Sequence, residues 1–469
     1  MIGTRTTDAS RTKSRATRLI GFLAVLGLVA CGLLAYYVWL VMSDNLGTYH
    51  NTTDLADLDG DGDLDVVLHN LRNESEFTAF SVTTLWTNQG NGRFVARRLE
   101  GAEGEGGGWA AAAGDMDRDG DADLVVFHGW SLRFELNQGG AQGGQAGEFK
   151  RSAAIIGPER NGQYGSIMLG DLNRDGQVDG VVAGCCGRLF TLDPDDDSPN
   201  LSWAWTHEWN SGGGLASQVS VLSALDGLAV RAAALGDLDG DGDLDLLCAV
   251  IAPEEGRNRD PADRVILNDG AGHFTDSGQR LGQTDSTALA LGDLDGDGDL
   301  DALVGSAKGA AVWINQGGAQ GGQEGTFAMS GQRAFGGQSR AVALSDLDGD
   351  RDLDALIAGR RQAEIWWNDG RAEFARSNQR FRYTKQHGLA VGDFDGDGRP
   401  DVFAAAYSRD CRVWLNRGGG TFGAASRTRA RTAGWALPLD RACLALPRRE
   451  VVIHGLFGAS TGLGRSKSG

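Results

Sequence analysis

The chain has 469 residues, of which 72 are glycine and 8 proline, and a formal charge of −19. An acidic balance of this kind argues against nucleic acid as a partner. The glycines stand between short apolar runs, a sign of many tight turns and not of an unfolded chain.

Residues 1–18 carry Arg5, Arg11, Lys13, Arg15 and Arg18 against a single acid, Asp8. The stretch 19–42 opens at Leu19, closes at Met42 and holds no charge. At about 1.5 Å per residue it is long enough to cross a bilayer core of roughly 30 Å. The positive-inside rule then predicts a basic cytoplasmic N-terminus, a transmembrane signal-anchor over 19–42, and everything beyond it in the periplasm or outside the cell. A competing reading is a lipoprotein cleaved before Cys31, because Leu28-Val29-Ala30-Cys31 resembles a lipobox. Cleavage there would leave the uncharged stretch 32–42 where a solvated tether is expected, and the apolar part of an export signal is only about 7–15 residues long.

From residue 46 the chain is organised by a nine-residue acidic pattern that occurs seven times, at intervals of 47–66 residues. At alternate positions the first copy offers Asp57, Asp59, Asp61, Asp63 and Asp65; the second Asp115, Asp117, Asp119, Asp121 and Asp123; and the third Asp171, Asn173, Asp175, Gln177 and Asp179. The fourth offers Asp237, Asp239, Asp241, Asp243 and Asp245, and the fifth Asp293, Asp295, Asp297, Asp299 and Asp301. The sixth offers Asp346, Asp348, Asp350, Asp352 and Asp354, and the seventh Asp393, Asp395, Asp397, Arg399 and Asp401. Alternating carboxylates around a turn glycine surround one small sphere with hard oxygen ligands, which is how a protein holds Ca²⁺; up to seven ions, one per loop, are expected. As in an EF-hand loop, positions one, three, five and nine should supply side-chain oxygen and position seven a backbone carbonyl. The Gln177 and Arg399 substitutions agree with a position that uses backbone. No copy has the EF-hand's glutamate at position twelve, where Leu68, Val126, Val182, Cys248, Val304, Ile357 and Ala404 stand. A strand begins there instead, so binding should be weak, toward roughly 10⁻⁴–10⁻³ M. Arg351 replaces the turn glycine of the sixth loop, and that site should be the weakest.

Each loop is preceded by one run of strand length and followed by others. Around the fifth they lie at 286–291, 302–306, 311–315 and 326–329; around the second at 109–113, 124–128, 132–137 and from 149; around the last at 387–391, 402–407, 412–416 and 421–422. Four antiparallel strands per repeat make a propeller blade. The predicted fold is an all-β, seven-bladed propeller of four-stranded antiparallel blades over 46–428, preceded by one transmembrane helix and followed by a partly disordered extension, 429–469. A linear stack would need polar end caps, and none is visible at residue 46.

The Asp-x-Asp-x-Asp-Gly-x-x-Asp loops occur with third strands such as Val312-Trp313-Ile314-Asn315-Gln316-Gly317 and Ile365-Trp366-Trp367-Asn368-Asp369-Gly370. In this the chain resembles the FG-GAP/VCBS repeats, over about residues 50–425. Those repeats build the propeller head of integrin α subunits and many exported bacterial proteins. The resemblance implies a calcium-stabilised recognition platform without naming its ligand. The third repeat departs from the pattern, with Leu192-Asp193-Pro194 in place of the Asn-x-Gly turn.

Other features read more quietly. The segment 137–145 reappears letter for letter at 315–323, and Ser277-Gly278-Gln279-Arg280 returns with small changes at 330–333 and 377–380. These read as structural turns and blade contacts. Trp203, Trp205, His207 and Trp209 alternate; they suit an outer strand packed on the next blade or a sugar-stacking platform. Cys411 and Cys443 can clip the tail to the last blade, whereas Cys248, inside an apolar strand, reads as a buried thiol. No HExxH motif is present, and a repeated Asp-Gly loop is more economically a metal cage than an acid–base pair. The expected function is therefore non-enzymatic: adhesion or recognition of a protein or carbohydrate outside the cell. The alternatives are an enzyme acting on polysaccharide or lipid, and a scaffold subunit of an envelope complex.

Overall fold

A computed structural model describes residues 51–429, apart from 76–77, 91–93, 100–103, 106–109, 129–130, 141–142, 157–164, 185–187, 191–228, 252–261, 283–284, 333–334, 360–361, 383–385 and 407–409. The apolar stretch 19–42, the tryptophans at 203–209 and the extension beyond 429 lie outside the described residues. No helix among the described residues is long and apolar enough to cross a membrane.

The described chain is an all-β propeller with four-stranded antiparallel blades. Seven sheets follow one another in sequence, each a meander in which successive strands pair. Six are complete blades, the first carrying an additional short strand, Gly104–Glu105. The third sheet has three strands, Gly165–Gly170, Asp179–Gly184 and Arg188–Phe190, and the next segment of chain, 191–228, is not described. The sequence-based strands are met closely: the fifth blade consists of Ser286–Gly292, Asp301–Ser306, Gly309–Asn315 and Phe327–Met329. The last strand among the described residues is longer than the pattern indicated and runs over Phe422–Arg429.

Each acidic loop joins a blade's first strand to its second. First strands are built from small residues, as in Ala110–Gly114 and Ala341–Ser345, and are buried on both faces. Sheets converge there, and only short side chains fit between neighbouring backbones. The outer strand Phe374–Arg382 mixes buried positions, Phe374, Ser377 and Phe381, with exposed and half-buried ones, as expected where one face meets water.

Packing joins the sheets in a ring. The first strand of each sheet contacts that of the next, and the seventh, Gln386–Gly392, contacts the first, Asn51–Ala56. A hydrophobic cluster fills every interface. Leu58, Val67, Leu85 and Leu124 lie between the first and second sheets, Phe134 and Ile167 between the second and third, and Met168, Val181 and Leu246 between the third and fourth. One cluster spans the fourth and fifth sheets and another runs from the fifth to the seventh. The closing interface is aromatic: Phe94 of the first sheet meets Phe394 edge-on and Phe403 at a tilt, both of the seventh repeat, each with ring centroids 5.6 Å apart. Such pairs add to the burial of their own area. Cys248 is a free thiol with no exposed surface.

Candidate metal centres

Each loop folds upon its own carboxylates. In the fifth, both oxygens of Asp293 accept backbone N–H groups, from Gly296 at 2.7 Å and Gly298 at 3.1 Å. The same Asx-turn pattern holds Asp57, Asp237, Asp346 and Asp393. In the second and third loops Asp115 and Asp171 receive the N–H groups of positions five and six instead. At position five, Asp61, Asp119, Asp175, Asp241, Asp297, Asp350 and Asp397 each accept the N–H of position seven.

The ninth carboxylate is the anchor. Asp301 is fully buried; one oxygen accepts the N–H of Leu294 at 3.0 Å and the other that of Asn315 at 2.8 Å, which ties the loop to the third strand. Asp65, Asp123, Asp245, Asp354 and Asp401 do the same with Asn88, Asn137, Asn268, Asn368 and Asn416. Asp179 accepts the N–H of Leu172. Burial pushes these acids up, to about 8 for Asp65 and Asp401 and about 7 for Asp123, Asp245, Asp301 and Asp354, against the backbone N–H bonds that lower them.

Position three carries oxygens without a partner. Oδ1 of Asp59, Asp239, Asp295 and Asp395 is buried and accepts no hydrogen bond. Burial and the carboxylates at positions one and five push these acids up, Asp395 to about 6. Buried polar atoms are rarely left unsatisfied, and a cation would satisfy four of them in the same way. Asp57, Asp59 and Asp61 bring ligand atoms within 4.8 Å of one another, as do Asp115, Asp117 and Asp123; Asp237, Asp239 and Asp245; Asp293, Asp295 and Asp297; and Asp346, Asp348 and Asp354. The donors are all hard oxygens, the set that suits Ca²⁺ or Mg²⁺ over softer metals. The residues present therefore fit a divalent ion.

Position seven differs from the backbone-only expectation. Asp63 and Asp243 are 6% and 5% exposed, and both oxygens of Asp121 and of Asp299 are buried without hydrogen-bond partners. Burial and the neighbouring Asp119 and Asp297 push Asp121 and Asp299 up to about 7. Room for this carboxylate comes from the glycine of the Asn-x-Gly turn, since a Cβ on Gly317 would lie 2.7 Å from Asp299 Oδ2 and one on Gly370 2.6 Å from Asp352 Oδ2. In the seventh loop Arg399 takes this place and pairs with Asp397. In the third, Gln177 Oε1 is buried without a partner. Arg351 adopts φ 84° and donates its N–H to Asp346 Oδ2 at 3.1 Å, so the sixth loop keeps its shape without the glycine.

Two sets of residues join the blades, the second of them the recurring unit that the sequence reading took for blade contacts. In six of the seven sheets the asparagine that ends the third strand sends its Nδ2 to the carbonyl of loop position two in the preceding blade. Asn137 reaches Leu58, Asn315 reaches Leu238, Asn368 reaches Leu294 and Asn416 reaches Leu347, all at 2.8 Å, and Asn268 reaches Leu172 at 2.9 Å. Asn88 closes the ring on Phe394 at 3.3 Å. The recurring Ser-x-Gln-Arg unit supplies the second set: Gln279, Gln332 and Gln379 bond the outer strand of the next blade at Phe327, Phe374 and Phe422. Their repetition was visible in the sequence, but their partners were not. Between the fourth and fifth loops lies a cleft of about 370 Å³ lined by Asp237, Gly240, Asp297, Asp299, Gly318 and Glu324.

The FG-GAP-like repeat pattern matches residues 57–126, 237–304, 293–357, 346–404 and 393–440, more than half of the chain, and each match starts on the first aspartate of a loop. The chain belongs to the FG-GAP-like repeat family. The third loop of this FG-GAP-like protein, at 171–179, is outside every match. No curated protein matches the sequence. Among solved structures it is similar to an Agrocybe aegerita lectin specific for non-reducing terminal N-acetylglucosamine, at 18% identity and TM-score 0.50 over 81% of this chain and 94% of that one. It is also similar to a periplasmic gluconolactonase of Pseudomonas aeruginosa (14%, TM-score 0.45, 71% and 86%) and to a biofilm matrix protein of V. cholerae (10%, TM-score 0.41, 82% and 81%). These likenesses concern the fold.

Proposed function

We propose that this FG-GAP-like protein is a calcium-stabilised, seven-bladed recognition propeller, held at the outer side of a membrane through residues 19–42. In this reading the three-stranded sheet is the third blade. The observation that carries the calcium assignment is the set of buried, unpartnered oxygens on Asp59, Asp239, Asp295 and Asp395, the first three inside a cluster of hard donors. The ions brace hairpins on one face, which leaves the opposite face, with its more varied connectors, for a ligand. A carbohydrate is the ligand class to try first, because the lectin of the same fold recognises a terminal sugar.

Thermal unfolding in EDTA, in 1 mM Ca²⁺ and in 1 mM Mg²⁺ tests the metal assignment. Calcium is expected to raise Tm by many degrees, since 1 mM is about one to ten times a Kd of roughly 10⁻⁴–10⁻³ M and stabilises by about 0.4–1.4 kcal/mol at each of several sites, and magnesium much less. Equal Tm values in EDTA and calcium would remove the calcium assignment. A glycan array probed with calcium-loaded protein tests the ligand class, and a blank array would direct the search to protein ligands.

A further inference from the structure

The fourth and fifth loops have the same sequence, Asp-Leu-Asp-Gly-Asp-Gly-Asp-Leu-Asp, at 237–245 and 293–301. Among the differences in their surroundings is a charge supplied by the preceding blade. Position four of the preceding loop is Arg174 before the fourth loop and Gly240 before the fifth. Arg174 takes φ 60°, a left-handed conformation that favours glycine, and aims its side chain across the blade boundary. Its NH2 group donates to the carbonyl of Asp241 at 3.0 Å, and its Nε pairs with Asp243 Oδ1. Gly242 leaves the space, since a Cβ there would lie 3.0 Å from the guanidinium. The same device sits one blade earlier, where Arg118, at φ 61°, reaches the carbonyl of Asp175 at 3.4 Å; there position seven is Gln177, so no ion pair forms with it.

We propose that Arg174 sets the cation affinity of the fourth loop. It places a fixed positive charge beside Asp243 Oδ1, an oxygen that, like both oxygens of Asp299 in the fifth loop, accepts no hydrogen bond. The fourth loop is thereby partly neutralised from the neighbouring blade and binds a divalent ion more weakly than its twin. This inference rests on the calcium reading of the loops. It also gives Arg174 opposite effects in the two states: without metal it relieves repulsion among Asp237, Asp239, Asp241 and Asp243, and with metal it repels the ion.

The test compares wild-type full-length protein with Arg174→Gln, Arg174→Lys, Asp239→Asn and the double variant R174Q/D239N, by calorimetric calcium titration and by thermal unfolding. R174Q is expected to tighten one site about tenfold, the order of effect of one unit charge near a divalent ion at a solvated site. It should lower Tm in EDTA while enlarging the rise that calcium produces. R174K should stay near wild type, and the gain should vanish when D239N removes the fourth loop's unpartnered ligand. A purely structural Arg174 would lower Tm equally in both conditions and leave the titration unchanged, and that result, or a gain that survives D239N, overturns the proposal while the calcium reading stands. Absence of calcium binding in every variant overturns both.

Discussion

Arg351 shows how far a single residue can depart from its pattern while the loop holds. It stands where the first, fourth, fifth and seventh loops have Gly62, Gly242, Gly298 and Gly398, at φ 84° beside their 85–101°, and makes the same hydrogen bond to position one. The shape survives, and the cost is backbone strain. Arg351→Gly is expected to stabilise the metal-free protein by about 1 kcal/mol in urea unfolding and to tighten calcium at the sixth loop by removing a nearby charge. A variant no more stable than wild type would mean that the side chain makes contacts worth as much as the strain. Position seven teaches the opposite lesson. Gln177 and Arg399 made it look indifferent to side chain, yet Asp63 and Asp243 are nearly buried there. The signal was present in the Asn-x-Gly turn, whose glycine clears space for that carboxylate, but the link between two segments about 20 residues apart becomes visible only when the hairpin is folded.

Blades and loops were legible for a different reason than the joints between them. Strands declare themselves by short apolar runs, and acidic loops by chemistry at fixed spacing, both local properties. An asparagine clasp is local on one side only: Asn315 bonds a main-chain carbonyl, Leu238, 77 residues away, and any sequence supplies a carbonyl. The third repeat marks the limit, since it lacks the asparagine turn and its remainder at 191–228 is not described. Removing a clasp should be costly. Asn315 is fully buried, donates to Leu238 and accepts the Gly325 N–H at 3.0 Å. Asn315→Ala is expected to lose about 2 kcal/mol or more by leaving both groups unsatisfied, and Asn88→Ala about 1 kcal/mol, because Asn88 makes one 3.3 Å bond to the next blade. Urea unfolding of the two variants measures the difference, and equal losses would count against the clasp as the source.

At the scale of the whole molecule the acids act together. Asp65 and Asp401, pushed up to about 8, and Asp123, Asp245, Asp301 and Asp354, pushed up to about 7, keep protons near pH 6 that an unfolded chain with carboxylates near 3.8 has released. Their contribution to stability is complete below about pH 4 and is lost as pH rises through 7–8. In EDTA, Tm should therefore fall between pH 5 and 8.5. Calcium should remove most of that fall by favouring the ionised form. A remainder should persist from Asp54, raised to about 6, and Asp263, raised to about 7, whose oxygens hold Ala113 and Leu55, and Val250 and Ser286. A flat profile in EDTA would show that the loops are already ionised without metal. The closing joint also sets a clock. Other clasps link residues 69–96 apart, but Asn88 and Phe394 are separated by 306. At about 5–20 residues per second of synthesis, one flank of the first sheet waits roughly 15–60 s for its neighbour to be made. Over that interval Phe94 and Trp86, buried at the finished joint, face whatever surrounds the nascent chain, so a chaperone or continued extension of the chain has to shield them until the seventh sheet arrives.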